Sequence, residues 1–325
     1  MKLPILGVDI SKTWFDVNIP KVQLKKQFPN NINGFKQLLK LMKKYRIVKA
    51  RVCMEATGLY FEALAEFLHA NGHEVVVVNP QCIKSFSRSE LRRSKTDPLD
   101  AALIAQYCEE KYARLNLWKP LEPEYKRIRE LLRRRAALVA DSAAEKCRLK
   151  AGFSCKENLD SIKRHIAWLK KEIKALESLV KNTIAAHSQL SKAIALVTTI
   201  KGLGWLTAAI ILVEVPQVLW DGRLAAAFAG LVPHKQKSGS SQDSTYLSKV
   251  GSEYLRAALY MPALAAKRSN PLLQPFYARL RERGLKHKQA LSAVMRKILV
   301  LAFGVLSSGH AFDKNYEAKR RLLTT

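Results

Sequence analysis

Residues 4 to 10 read Pro4-Ile5-Leu6-Gly7-Val8-Asp9-Ile10, a short apolar run with one carboxylate near its end, and this run reads as a strand. Residues 14 to 19 (Trp-Phe-Asp-Val-Asn-Ile) alternate loosely, and 21 to 28 continue the strand pattern until Asn30-Asn31 breaks it. Together they predict a three-stranded meander. Helical spacing follows at 33 to 45, then a strand at 48 to 54, a helix at about 59 to 71, and a strand at 74 to 79 ending at Asn79-Pro80. The order βββαβαβα predicts an α/β layer over 1-122.

From Pro123 onward strand signals vanish. Ile128, Leu131, Leu132 and Leu138, and later Ile166, Leu169, Ile173 and Leu176, recur at helical spacing. This predicts two long helices over 123-190 that turn near Gly152 to Asn158, a coiled-coil segment suited to joining subunits. Residues 191-325 keep helical periodicity interrupted by glycine- and serine-rich turns, which predicts a small all-α domain. The fold class is therefore α/β plus all-α, in three segments.

Lys and Arg number 56 against 27 for Asp and Glu, a formal charge of +29 across 325 residues. Such an excess calls for a polyanionic partner. Hydrophobic residues make up 48%, with only 14 glycines and 12 prolines, so a disordered basic tail is excluded. The longest apolar runs, Trp205 to Val213 and Ile298 to Leu306, are about half of the ~20 residues a spanning helix needs, which leaves nucleic acid rather than membrane as the polyanion. The first residues reach Asp9 before a signal core has built up, so a cytoplasmic location is expected. Five cysteines with no C-x-x-C pair suit buried thiols in a reducing compartment, and any metal must then be held by oxygen.

Four carboxylates fall at element ends. Asp9 closes the first strand, Glu55 follows the fourth, and Asp97 with Asp100 opens a helix as an i, i+3 pair. If the first and fourth strands are neighbours, Asp9 and Glu55 share one sheet edge, and the helix can bring the other two to it. Such a quartet would hold Mg²⁺ or Mn²⁺, and two such ions about 4 Å apart clamp the attacking and leaving oxygens of a phosphodiester displacement. Thr96-Asp97-Pro98-Leu99-Asp100 is equally a helix start with a cap, a proline and acids to meet the dipole.

Basic residues cluster three times. Lys84, Arg88, Arg92, Arg93 and Lys95 precede the acid pair. Residues 126 to 150 carry nine Lys or Arg against three acids, with Arg133, Arg134 and Arg135 consecutive, and Arg296 and Lys297 close a third cluster. Phosphates would be drawn to all three. Lys201-Gly202-Leu203-Gly204 can present backbone N–H groups to a phosphate, or serve as a plain inter-helix turn. Ser238-Gly239-Ser240-Ser241 sits among Lys235, Lys237, Lys249 and Arg256. Composition favours a polar surface loop there, while a serine hydroxyl activated by a base or metal could attack a phosphodiester.

In order along nearly the whole chain, Gly7-Val8-Asp9-Ile10-Ser11-Lys12, Glu55-Ala56-Thr57-Gly58, Lys95-Thr96-Asp97-Pro98-Leu99-Asp100, Ala226-Ala227-Phe228-Ala229-Gly230-Leu231-Val232-Pro233, Ser238-Gly239-Ser240-Ser241 and Leu255-Arg256-Ala257-Ala258-Leu259-Tyr260 resemble the DEDD transposases of the insertion-sequence 110 group, the bridge-RNA-guided recombinases. The resemblance implies an RNase H-like (RuvC-like) amino domain with Asp9, Glu55, Asp97 and Asp100 as Mg²⁺ ligands. It implies a carboxy-terminal transposase domain in which Ser238 forms a covalent link to a DNA 5′ phosphate, with Ser240 and Ser241 as alternatives. A composite centre shared between subunits of a dimer or tetramer, donor and target DNA, and a structured guide RNA are implied as well. Two rivals remain: a Holliday-junction-type nuclease that uses metal-bound water, and a nucleic-acid-binding assembly factor without catalysis.

Overall fold

The computed structural model describes residues 2–56, 58–90, 97–236, 244–247 and 249–315, with the backbone alone at 97–99, 234–236 and 244–246. It divides into two compact units, 1–120 and 121–325.

The first unit is built on β1 (Ile5–Ile10), β2 (Trp14–Ile19), β3 (Leu24–Pro29), α1 (Ile32–Lys44), β4 (Arg51–Glu55), α2 (Glu62–Ala70), β5 (Glu74–Val78), α3 (Pro80–Ser89) and α4 (Asp97–Glu110). The sheet order is β3-β2-β1-β4-β5. The first three strands are the expected antiparallel meander, and β4 and β5 add in parallel through helical crossovers. β1 and β4 lie at the centre and read as nearly continuous apolar runs, as strands covered on both faces do. β3, at one edge, exposes Lys25 and Lys26, charges that discourage edge-to-edge pairing.

The two faces carry separate cores. Leu6, Val8, Val52 and Met54 face Phe35, Leu38 and Leu64 of α1 and α2. Ile5, Cys53 and Val76 face Ile83 and Phe86 of α3 and Ile104 and Cys108 of α4. At the amino end of the sheet Arg51, only 9% exposed, forks Glu74 through Nε (2.9 Å) and Nη2 (2.7 Å). Its Nη1 donates to the Tyr112 carbonyl at 2.6 Å, and its guanidinium lies 3.6 Å from the Tyr112 ring centre. Both bonds to Glu74 end on one oxygen, Oε2, and with the Tyr112 contacts they tie β4, β5 and the chain after α4 together.

α4 runs antiparallel to β1. The Leu3 N–H at the start of β1 donates to the Tyr112 hydroxyl beyond the end of α4 (3.2 Å), whereas Gly7 lies beneath Ala101 and Ala105. A Cβ at Gly7 would fall on the Ala101 carbonyl oxygen and the Ala105 backbone nitrogen, so only glycine admits the helix this close.

The second unit opens with a helical hairpin, α5 (Pro123–Lys150) and α6 (Lys156–Ala186), which turns at 151–155. Its base, Tyr125, Ile128 and Leu132 with Val180 and Ile184, joins the core of the helices that follow. Those are α7 (Ser188–Thr198), α8 (Trp205–Glu214), α9 (Gly222–Phe228), α10 (Glu253–Ser269), α11 (Leu273–Glu282) and α12 (His287–Ser308).

Two expectations need correction. The segment from 191 onward is not all-α, because β6 (Pro233–Gln236) and β7 (Ser244–Leu247) pair antiparallel. Four-residue strands are too short to show a period of two. The apolar run at 298–306 also understates its helix: α12 has 22 residues and is long and apolar enough, by length and composition, to cross a membrane. Here it is a core helix, with Val294, Ile298, Leu299 and Ala302 fully buried among the other helices.

Gly7→Ala is expected to lower stability by about 3 kcal/mol in urea unfolding, because a backbone contact has no side chain that can move aside. Gly304→Ala, on the exposed face of α12 with nothing within 4 Å, is the internal control and should stabilise by roughly 0.5–1 kcal/mol. Stability should also fall as pH drops below about 6.5, the unfolded value for histidine. Burial depresses the pKa of His73, whose Nδ1 has no hydrogen-bond partner, so protonation favours the unfolded chain. His73→Phe should flatten that limb of the pH–stability curve.

Candidate active site and nucleic-acid interface

The register places the carboxylates. β1 and β4 pair in parallel from Ile5↔Arg51 to Val8↔Met54, so Asp9 and Glu55 are the next residues along, side by side at the carboxyl edge. Alternation puts Asp9 on the face of Gly7 and Glu55 on the face of Cys53, the face covered by α4. Because Ala101 lies over Gly7 and α4 runs antiparallel to β1, its first turn reaches the same edge. Two residues of strand advance ~6.6 Å, and four residues of helix ~6 Å. Asp9, Glu55 and Asp100 are all half-buried. Asp97 is the first residue of α4, one turn before Asp100, and its side chain lies outside the described set.

Beneath the edge, Cys53 lies two residues before Glu55, and Cys108 two turns after Asp100. Both are fully buried, and hydrogen bonding to Cys108 together with burial pushes the Cys53 thiol up, keeping it protonated. Lys84 and Arg88 are exposed one turn apart on α3, opposite buried Ile83 and Phe86. Arg92, Arg93 and Lys95 lie outside the described residues.

In the second unit the arginine triplet divides its labour. Arg133 forks Glu214 through Nε to Oε1 and Nη2 to Oε2, both at 2.8 Å, and the Glu214 side chain is 2% exposed. Tyr254 closes this site. Its hydroxyl donates to the Leu132 carbonyl at 3.0 Å, and burial and the Glu214 charge push its pKa up to about 12. Arg135 pairs with Glu177 at 2.7 Å across the hairpin, and Arg134 is exposed. Sequence reading missed Glu214, a lone acid at the end of an apolar helix.

Gly202 has φ +99, and a Cβ there would meet Ala266 Cα at 2.7 Å, so it seats the turn against α10. Asn270, fully buried, donates from Nδ2 to the Lys201 carbonyl at 3.1 Å. Gly204 has open space around it and precedes the first turn of α8, leaving backbone N–H groups accessible.

Lys249, Arg256 and Arg296 come together. They line one groove of about 1050 Å³ between α10 and α12, floored by Leu231, Leu247 and Leu291. Arg256 is held in place by its Nη1, which donates to the Ala229 carbonyl at 2.8 Å. A Cβ at Gly230 (φ +67) would meet that Nη1 at 2.7 Å. Lys297 is half-buried on α12 and Lys235 lies in β6. The ribbon closes on the groove at Pro233↔Leu247 and opens at Gln236↔Ser244. Residues 237–243 link its open end, and Lys237, Ser238, Ser240 and Ser241 among them lie outside the described residues.

Glu122, Glu124 and His187 form a further cluster of possible metal donors, with ligand atoms within 4.8 Å of one another. The Leu190 N–H donates to His187 Nδ1 at 3.2 Å, so the ring proton is on Nε2, 3.5 Å from Glu122 Oε2. A metal on Nε2 would displace that proton and cost α7 its cap. The cluster therefore works as a helix junction.

Comparison with known proteins gives concordant results. A family model described as "Transposase", of the DEDD type of IS110, matches residues 6–154, and one described as "Transposase IS116/IS110/IS902 family" matches 194–278. A pilin gene-inverting protein of Moraxella bovis is 30% identical over 323 residues, 97% of this chain and 99% of its own length. That of Moraxella lacunata is 30% identical over 327 residues with the same coverage. An uncharacterized 43.6 kDa protein of insertion element IS110 from Streptomyces coelicolor is 31% identical over 147 residues, 45% of this chain and 35% of its own length.

Arg133→Met should lower stability by about 3 kcal/mol, because it strands the Glu214 carboxylate in the core. Arg296→Ala should instead leave the unfolding midpoint in place. It should weaken duplex binding and reduce the slope of log affinity against log salt by roughly 0.9 for each phosphate contact removed.

Proposed function

The chain belongs to the IS116/IS110/IS902 family of transposases, a DNA transposase/recombinase, and from that premise we propose that it is an RNA-guided recombinase whose acidic edge and serine act together on a phosphodiester. The observation that carries the reading is the convergence of Asp9, Glu55 and the first turn of α4 on one edge of a β3-β2-β1-β4-β5 sheet. An RNase H-like fold accounts for this order, with three antiparallel strands followed by two parallel ones.

The donor set suits a hard divalent cation. Asp9, Glu55, Asp97 and Asp100 offer only carboxylate oxygen, the donor that such a cation takes. Mg²⁺ bound there supplies charge neutralisation at the phosphate. The residues of the chain do the remainder. Ser238 Oγ loses its proton as it bonds to phosphorus, the P–O3′ bond breaks, and the 3′ oxygen gains a proton. The DNA 5′ phosphate is thereby held on serine. Reversal with a different 3′ hydroxyl rejoins the strand, so the phosphodiester energy is conserved. Relatives named for inverting a pilin gene support rejoining as well as cutting, since inversion needs both. This favours the serine route over a water-using nuclease.

Lys249, Arg256 and Arg296 supply backbone charge near the ribbon, and exposed Lys84 and Arg88 of the first unit and Arg134 of the hairpin each offer a further cation to the nucleic-acid backbone. Base pairing of a guide RNA to donor and target DNA supplies sequence choice, and the chain acts in the cytoplasm as a homo-oligomer. The 123–190 hairpin is proposed as the joining segment and 191–325 as the transposase domain.

Incubation with the element-encoded RNA, Mg²⁺ and end-labelled junction DNA, followed by denaturation, tests this. A protein–DNA adduct is expected with the wild type and none with Ser238→Ala, while Asp100→Asn should cut adduct yield by 10²-fold or so. DNA cut without adduct in both proteins would establish the nuclease reading. Unchanged activity in Asp100→Asn would remove the acids from catalysis.

A further inference from the structure

We propose that the groove between α10 and α12 seats a single nucleobase turned out of its duplex. The proposal rests on the reading above only for its location relative to the reacting phosphate. Glu253, Arg256, Ala257 and Tyr260 occupy i, i+3, i+4 and i+7 of α10, one helical face. Lys288, Ser292 and Arg296 occupy i, i+4 and i+8 of α12 opposite. The floor is aliphatic, yet Ala257 and Tyr260 are exposed, Tyr260 by 39%, so the space is not leftover core. Its size, about 1050 Å³, is just above the roughly 300–1,000 Å³ of small-molecule pockets, which leaves room for a base together with its sugar and phosphate.

The combination specifies the ligand. Lys249, Arg256, Lys288 and Arg296 stand on the rim against one acid, Glu253. The ligand must therefore be apolar and flat at its tip and anionic where it leaves, as a base on its sugar–phosphate is. Tyr260 offers a stacking surface. Gln289 Oε1 is occupied by the Lys286 N–H (2.9 Å), which leaves its amide protons as donors. The Ser292 hydroxyl donates to the Lys288 carbonyl (2.9 Å), which leaves its oxygen as an acceptor. A base edge presents both counterparts. The chain's own last ten residues fit poorly, since Lys319, Arg320 and Arg321 against Glu317 would bring like charge to the rim.

Position along the ribbon sets where the base lies. Pro233↔Leu247 borders the groove and Gln236↔Ser244 the open end, three residues or ~10 Å apart. The turned-out base therefore lies about that far from the open end of the ribbon.

The test is equilibrium binding of the full chain to two duplexes of one sequence, fully paired or carrying one extrahelical 2-aminopurine. The wild type is expected to prefer the bulged duplex by about tenfold and to quench its fluorescence. Tyr260→Ala should reduce the preference to within about threefold and restore the fluorescence, and Tyr260→Phe should keep both. Ala257→Trp, which fills the groove without removing a cation, should act like Tyr260→Ala. Equal wild-type affinity for the two duplexes, or a preference that survives both Tyr260→Ala and Ala257→Trp, would overturn the proposal. So would an acidic leucine-rich peptide that displaces the bulged duplex from the wild type and loses its own affinity in Ala257→Trp. No cleavage is read, so absence of the Ser238 adduct leaves this result standing, and loss of the bulge preference leaves the adduct result standing.

Discussion

The backbone contact of α4 with β1 at Gly7 is the constraint on which the first unit depends. Side chains normally hold a helix and the element beneath it 8–10 Å apart. With no Cβ at position 7, the Ala101 carbonyl and Ala105 amide descend to the strand itself, and two small residues on the helix complete the fit. The close approach fixes the height of α4 and its direction along β1. Direction is what matters for chemistry. An antiparallel helix starts where the strand ends, so the first turn of α4, with Asp100, reaches the edge at which β1 and β4 end in Asp9 and Glu55. The opposite end of the sheet is closed by Arg51, Glu74 and Tyr112, whose short polar contacts keep β4 and β5 in register without occupying the carboxyl edge.

Much of this was legible in the sequence because it depends on local pattern. Residues 4–10, 14–19 and 74–79 are short apolar runs bounded by turn residues, and each became a strand within a residue or two. The neighbouring of Asp9 and Glu55 followed once the first and fourth strands were taken as adjacent. The glycine of Gly7-Val8-Asp9 could be read as part of a motif, but the reason for it could not, because its partner lies 94 residues away on a helix. The ribbon at 233–247 escaped for the reverse reason. Each of its strands has four residues, two of them beside a serine- and glycine-rich stretch, and no period can be established over that length.

Charge was the most misleading feature taken residue by residue and the most informative taken whole. An excess of +29 identifies a polyanion as partner, yet it does not say which cations meet it. Arg133, Arg134 and Arg135 are indistinguishable in sequence. In the structure the first neutralises a buried glutamate, the third crosses the hairpin, and the second is exposed. Arg51 and Arg256 likewise hold backbone carbonyls in place. An unpaired carboxylate in the core is costly, so an internal acid such as Glu214, 2% exposed, marks which arginine is drawn to it, while the Arg133 side chain itself stays 41% exposed. No spacing rule reveals that acid's partner 81 residues away.

The groove between α10 and α12 shows why arginine has a place at its rim that lysine could not fill. Arg256 uses one nitrogen to hold the Ala229 carbonyl and still carries a delocalised charge toward the groove. A lysine ammonium spent on the same carbonyl would place its whole charge there. Gly230, at φ +67, lets the chain turn beneath that guanidinium, and Gly251, at φ +140, lets the chain after the ribbon pass the Phe228 carbonyl. Both ends of the ribbon are thus fixed to α9 and α10 by contacts that tolerate no added carbon. The ribbon therefore takes its position from rigid supports outside its own four-residue strands, with Gly230 against Arg256 at one end and Gly251 against the Phe228 carbonyl at the other, and needs no strong strand pattern of its own.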